Sequence, residues 1–143
     1  MGKTYPINVD YSKSLAEMIK AGKYDYYEHE INGKHFPRKF KGKSRLKAKL
    51  VQYDHCMSSK RIVADLAKRG LRAATVHELV AFGERYPNEQ RKGSIVALGS
   101  VWRDWNRDRC VAHLYGNEFG RRLELSYCDG DWRARYRFLA FRK

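Results

Sequence analysis

From Ser94 to Lys143 no hydrophobic period lasts long enough to build a helix. Short apolar anchors recur there instead: Val96, Leu98, Trp102, Val111, Leu114, Leu123, Leu125, Trp132, Phe138 and Leu139. Between them sit clusters of Arg, Asp, Tyr, Cys, His, Gly and Asn without any period. Anchors of this kind read as the buried side of short strands. The clusters read as polar, aromatic-rich loops on a rigid support, which is how binding surfaces are commonly built. The expectation is that this surface is what the chain presents and that the earlier residues hold it up.

Those earlier residues carry clearer periods. Tyr5 to Asp10 alternates around Ile7 and Val9 as a first strand. Ser12 or Ser14 caps a helix over about residues 12–22, with Leu15, Met18 and Ile19 on its apolar face and Gly22 at its end. Tyr24, Tyr26 and Tyr27 are expected to pack on this helix as edge strand or loop core, an exposed contact patch being the alternative. A second helix over 58–69 uses Ile62, Val63, Leu66 and Ala67 and stops at Gly70; Leu71 to Ala74 is an extended link. Thr75 caps a third helix over 75–86, and Glu78 three residues later makes a capping box. Helical spacing before Gly93 and short alternation after it predict one α+β domain over residues 1–143, with helices on a twisted, mostly antiparallel sheet.

Charge is uneven along the chain. The net charge is +14 over 143 residues, which favours polyanionic partners. From Asn32 to Lys49 the cations Lys34, Arg38, Lys39, Lys41, Lys43, Arg45, Lys47 and Lys49 meet no acid. Pro37 and Gly42 mark a loop; Leu46, Ala48 and Leu50 then alternate with cations as a strand with one wet face. This stretch reads either as a phosphate-tracking patch or as a solvated edge strand guarded by lysines. A nucleic-acid site would centre here, with Lys34, Arg38, Lys39, Lys41 and Lys43 as its contacts.

Other classes find less support. A 43% hydrophobic, 13% aromatic composition predicts a folded chain with a real core. The opening Met1 to Pro6 has no apolar signal core, and no run reaches membrane-spanning length, so a cytoplasmic chain is expected. Cys56, Cys110 and Cys128 form no C-x-x-C pair, and free thiols are expected, with a Cys110–Cys128 bridge as the alternative. The five histidines are scattered without zinc spacing. Asp129 and Asp131 are the only plausible start of a calcium site, and no metal or organic cofactor is expected. His113 with Cys110 or Cys128 has no third group whose spacing would orient a thiol nucleophile, so no catalysis is expected.

Two motifs carry a resemblance. The run from Ile62 to Leu79, with Gly70-Leu71-Arg72-Ala73-Ala74-Thr75 and then Glu78, resembles the helix, "G-x-R-x-x-T" link and "T-x-x-E" helix start of C-type-lectin-fold proteins of the formylglycine-generating-enzyme type. Gly99-Ser100-Val101-Trp102 and the closing Tyr136-Arg137-Phe138 are similar to the "G-G-S-W … G-F-R" ending of that fold. Ala73 stands where a proline is common, and the closing tripeptide lacks the usual glycine. Over residues 46–143 the chain most resembles the variable proteins of diversity-generating retroelements, prokaryotic or viral. The resemblance implies a C-type-lectin fold and a C-terminal region, here 94–143, diversified by a reverse transcriptase that mutates template adenines.

In that chemistry Asn codons (AAY) become NNY codons, which cannot encode Lys, Gln, Met, Glu or Trp. Between Gly93 and Arg142 there is no Lys, Gln or Met, and every Lys-or-Arg position is Arg, whereas the first 92 residues are rich in Lys. The alternative is that Arg suits packed and bidentate sites better than Lys. Glu118, Glu124 and the tryptophans must then be template-fixed. The resemblance further implies a macromolecular ligand, a protein first of all. Expected contacts are Arg103, Asn106, Arg107, Asp108, Cys110, His113, Tyr115, Asn117, Phe119, Arg121, Ser126, Tyr127, Cys128, Asp129, Asp131, Arg133, Arg135 and Tyr136. Trp102, Trp132, Leu123, Leu125, Arg137, Phe138 and Leu139 are expected to be scaffold.

Overall fold

The computed structural model describes residues 3–143; Met1 and Gly2, which open the segment read as lacking a signal core, lie outside them. Strand β1 (Tyr5–Asp10) turns Tyr5, Ile7 and Val9 inward. Of the two candidate caps for α1 (Leu15–Gly22), Ser14 serves: its hydroxyl accepts the Glu17 N–H at 3.1 Å, and the Glu17 carboxylate accepts the Ser14 N–H at 3.1 Å. Tyr24 then tucks between Gly22 and Gly83, where any Cβ would meet its ring or hydroxyl, and donates to the Val80 carbonyl at 2.8 Å. Only this one of the three tyrosines is packed against the helices. Tyr26 and Tyr27 form the exposed β2 (Tyr26–Tyr27).

The basic stretch becomes a loop and then β3 (Lys43–Gln52), with Leu46, Ala48 and Leu50 on the core side. After β4 (Met57–Ser58), helix α2 (Ser59–Lys68) is capped by Ser58 and buries only Ile62 and Leu66. Val63 and Ala67 face outward, because α2 rests on the sheet by a narrower stripe than the periodicity allows. Strand β5 (Leu71–Ala73) leads into α3 (Val76–Arg85). Here the G-x-R-x-x-T-x-x-E pattern acquires a physical meaning. Glu78, fully buried, accepts the Thr75 N–H at 2.8 Å, both Arg72 Nη groups at 2.8 and 2.7 Å, and the Tyr11 hydroxyl at 2.6 Å. Burial alone would raise its pKa, but these donors hold it below the usual carboxylate value.

A fourth helix the periodicity did not reveal, α4 (Glu89–Lys92), precedes three long strands, β6 (Ile95–Arg103), β7 (Arg109–Asn117) and β8 (Gly120–Tyr127). The short β9 (Asp131–Trp132) pairs with β4, and β10 (Arg137–Arg142) closes the chain. The main sheet runs β1-β3-β10-β6-β7-β8-β2, and β5 pairs with β10 as an eighth strand. Its ladders are antiparallel except β10–β6 and β2–β8. The chain is thus an α+β fold: among the described residues, four helices and a mixed, mostly antiparallel eight-stranded sheet. Within the same residues no helix is long and apolar enough to cross a membrane.

Two cores sandwich the sheet. One joins α1 and α3 to Leu46, Ile95, Ala97, Ala112, Leu114, Leu123, Leu139 and Phe141. The other, on the opposite side, joins α2, β4 and β9 to Val51, Val96, Leu98, Val111, Phe138 and Ala140. Two expectations are corrected. Strand β3 is no edge strand; it lies between β1 and β10, because long-range pairing adds a strand on either side. Much of the stretch expected to be aperiodic loop is ladder: Cys110, His113, Tyr115, Asn117, Arg121, Ser126 and Tyr127 are strand residues. His113, Tyr115, Asn117 and Ser126 alternate with Ala112, Leu114 and Leu123, whereas Cys110, Arg121 and Tyr127 share the side of those apolar residues, a period that small or cationic inward residues disguise in the sequence.

Candidate ligand-binding surface

The turn joining β6 to β7 is built by its own polar groups. The Asp104 carboxylate accepts the Asn106 and Asp108 N–H groups, each at 2.9 Å, and Arg107 takes a left-handed backbone at φ 65°. Arg103 donates to the Arg107 carbonyl at 2.9 Å. The segment after β8 is tied beside this turn: the Cys128 N–H meets the Arg109 carbonyl at 3.0 Å, and the Arg109 guanidinium pairs with Asp129 at 2.6 Å. That pairing holds the Asp129 carboxyl below its usual value.

A 390 Å³ cleft opens beside these two segments, lined by Glu28, Trp102, Asp104, Trp105, Cys110 and Tyr127 among others. Trp105 is 86% exposed and Tyr127 62%. Burial pushes the Cys110 thiol up to about 11, and the Asp104 carboxylate adds to it. Aromatic rings beside carboxylates suit a cationic ligand group.

A second, 650 Å³ cleft lies on the other side of the sheet, where the chain between β9 and β10 crosses β7 and β8. His113, Tyr115, Glu124, Arg135 and Tyr136 line it, with Gln52, whose amide donates to the Ala134 carbonyl at 2.9 Å. His113 and Glu124 are register partners. The His113 Nδ1 is buried without a hydrogen-bond partner. Burial lowers the His113 pKa, and Glu124 opposes that shift. A third, smaller hollow at the β7–β8 turn holds Asn117 and Phe119, the latter 85% exposed.

The eighteen expected contacts therefore do not form one patch. Arg103, Asn106, Arg107, Asp108, Tyr115, Phe119, Tyr127, Asp129, Asp131, Arg133 and Arg135 are exposed, and His113, Asn117, Ser126 and Tyr136 are half-buried. Three are buried. Cys110 and Cys128 are buried, and both are free thiols. Arg121 is buried under α1 and α3, where it donates to the carbonyls of Gly22 (2.7 Å) and Gly83 (2.7 Å) and to Gln90 Oε1 (3.1 Å). Its guanidinium also lies 4.6 Å from the Tyr24 ring centroid. Cationic character suggested surface; its position opposite Gly116 in the ladder turns it inward.

Among the expected scaffold residues, Trp132, Leu123, Phe138 and Leu139 are buried. Arg137 is largely enclosed, donating to Glu89 and to the Gly93 carbonyl. Trp102 is only partly covered, stacked on His35 at 4.1 Å, and Leu125 is half-buried. Sequence reasoning missed Trp105, Glu28, Glu30 and Glu124 as lining groups. Trp105 had a signal, an aromatic ring between Asp104 and Asn106 in a turn. Glu28 and Glu30 reach the cleft only through tertiary folding.

The Gly99-Ser100 motif is a docking point rather than a contact. The Gly99 N–H donates to the Ala74 carbonyl at 2.8 Å, and Ser100 Oγ accepts the Val76 N–H at 3.0 Å. A Cβ on Gly99 would overlap the carbonyl oxygens of Ala73 and Ala74, each 2.5 Å away.

The cations expected for nucleic acid are not all free. Lys34, Lys41 and Lys43 are exposed, Arg38 donates to the Tyr11 carbonyl at 3.0 Å, and Lys39 donates to the Gly99 carbonyl. Among the described residues no group of three or more His, Cys, Asp or Glu is arranged to hold a metal. No protein-family model, curated protein or solved structure matches the chain.

Proposed function

We propose that this chain is a ligand-binding variable protein of the diversity-generating-retroelement kind, with a C-type-lectin fold. Its C-terminal exposed residues are diversified to bind macromolecular ligands, proteins first of all. The reading has no catalytic step and no cofactor. The observation that carries it is a coincidence: the segment free of Lys, Gln and Met is also the one that supplies the exposed turns and contributes Arg, Tyr and Asp to the walls of the two clefts. All of these residues are reachable by NNY codons. Tyr and Arg are the usual energetic anchors of such surfaces.

The exposed or half-buried contacts are the positions expected to vary: Arg103, Asn106, Arg107, Asp108, His113, Tyr115, Tyr127, Asp129, Arg133, Arg135 and Tyr136 among them. Trp105, Glu118 and Glu124 line or border these clefts and turns but lie outside the NNY set, so they are constant contacts. The test is sequencing of the DNA around the coding gene and of copies from a growing population. A reverse-transcriptase gene beside a near-repeat of the C-terminal coding segment, differing at adenines, is expected. Variation falling on Trp132, Phe138 or Arg121 codons instead, or the absence of any such repeat, sinks the reading.

A further inference from the structure

We propose a second binding site, on the side of the sheet opposite α1 and α3, that holds the phosphodiester backbone of a nucleic acid. It is independent of the diversified surface. Side chains alternate along a strand. With Leu46 and Leu50 in the helix-side core and Val51 in the opposite one, Arg45, Lys47 and Lys49 share the side away from α1 and α3. There they line a 370 Å³ groove together with Arg69, at the C-cap of α2, and Arg142, at the end of β10. Five cations thus converge from three elements far apart in sequence.

Among the described residues no carboxylate side chain lines the groove; its other walls are Thr4, Leu46, Leu71 and Phe141. Only Arg69 is neutralised, by Asp65 at 3.0 Å. Among the described residues Arg45, Lys47, Lys49 and Arg142 take part in no ion pair. Like charges on adjacent sites are destabilising in a sheet, and guarding an edge would need neither Arg69 nor Arg142. A cationic field in which four of the five cations lack an ion-pair partner among the described residues fits a polyanion, and arginine forks suit phosphate. A row of cations along an extended strand matches a linear chain of phosphates. No exposed aromatic ring lines the groove for base stacking, so contact is to the backbone and indifferent to sequence. The cations Lys34, Arg38, Lys39 and Lys41 of the preceding loop are not part of this site.

Fluorescence anisotropy with labelled 20-nucleotide single strands, thymidine-only and mixed in sequence, tests it. Both strands should bind equally, with affinity falling steeply as salt rises. The variant Arg45→Gln/Lys47→Gln/Lys49→Gln should weaken binding at least tenfold at low salt and flatten the log–log salt slope by about 2, at roughly 0.7 per lost contact to a single strand. Lys20→Gln/Lys34→Gln/Lys41→Gln removes the same charge elsewhere and should change affinity less than twofold. Lys47→Arg/Lys49→Arg should bind as the wild type does, and Lys47→Gln alone, should the triple variant not fold, should still flatten the slope. Equal losses in the two triple variants would overturn the proposal, as would absence of binding at low salt. So would capture by phosphatidylserine vesicles without capture of oligonucleotides.

Discussion

Arg121 and Arg122 are neighbours on β8, yet they stand in two regions ruled by different physics. Arg121 points to the helix side, where Ala112, Leu114 and Leu123 are fully buried and its own guanidinium is enclosed by main-chain carbonyls. Arg122 points to the other side, with His113, Tyr115, Glu124 and Ser126, where side chains are half-covered or exposed. Its partner is a 3.2 Å ion pair with Glu124, and its guanidinium rests over the Tyr26 ring. At these two positions residue type does not distinguish support from surface; ladder register does. A one-residue slip would exchange the two arginines.

The largest expected effect tests whether the outer side has its own rigid support. Trp132 is buried, packs edge-on against Phe138 at 5.7 Å and donates its indole N–H to Ser59 at 2.7 Å. Trp132→Ala should cost about 3–5 kcal/mol, as other buried aromatics do. Alanine at Arg103, Tyr115, Tyr127, Asp129, Arg133 or Arg135 should cost about 0.5 kcal/mol or less at each site. Urea denaturation of Trp132→Ala beside the six-site variant decides. If the six-site variant unfolds and Trp132→Ala does not, support and surface have been exchanged.

Next in size is the arginine pair itself. Arg121→Ala leaves buried carbonyls without donors and should cost about 3 kcal/mol. Arg122→Ala loses one partly exposed ion pair and should cost about 1 kcal/mol or less. Equal midpoints in the two denaturation curves would erase the contrast between the sides. Mutating Arg121 should leave ligand preference unaltered wherever the protein still folds, whereas Arg122 borders the outer surface and should alter it.

The smallest effect is the outer side's own share of the pH dependence. Burial favours neutral His113 in the fold, so its folded pKa lies below the ordinary 6.5. Between those two values the unfolded chain binds the extra proton, so stability is complete above pH 6.5 and declines as pH falls below it. His113→Gln should flatten that decline. His77, also lowered by burial, contributes to wild type and variant alike and cancels in the difference. A steeper decline in the variant would contradict the burial argument.

Local chemistry was legible in the sequence. The helix starts at Ser58 and Thr75 follow from capping residues, that of α1 is narrowed to Ser12 or Ser14, and the Thr75–Glu78 box is read directly from spacing. The anchors Trp132, Phe138 and Leu139 are buried as their hydrophobicity demands, and the segmental exchange of Lys for Arg is a property of the sequence alone. These signals act over a few residues, so a single window contains them.

Tertiary structure decided everything that depends on which strand lies beside which. It set β3 between β1 and β10, turned Arg121 inward and buried Cys110 and Cys128. It also brought Glu28 to the Trp105 cleft and gathered Arg45, Lys47, Lys49, Arg69 and Arg142 into one groove. Strand pairing joins residues distant along the chain, and the side a residue faces changes with every one-residue shift of register. No local period encodes either, because the free energy that selects them comes from closing two cores at once on the two sides of one sheet.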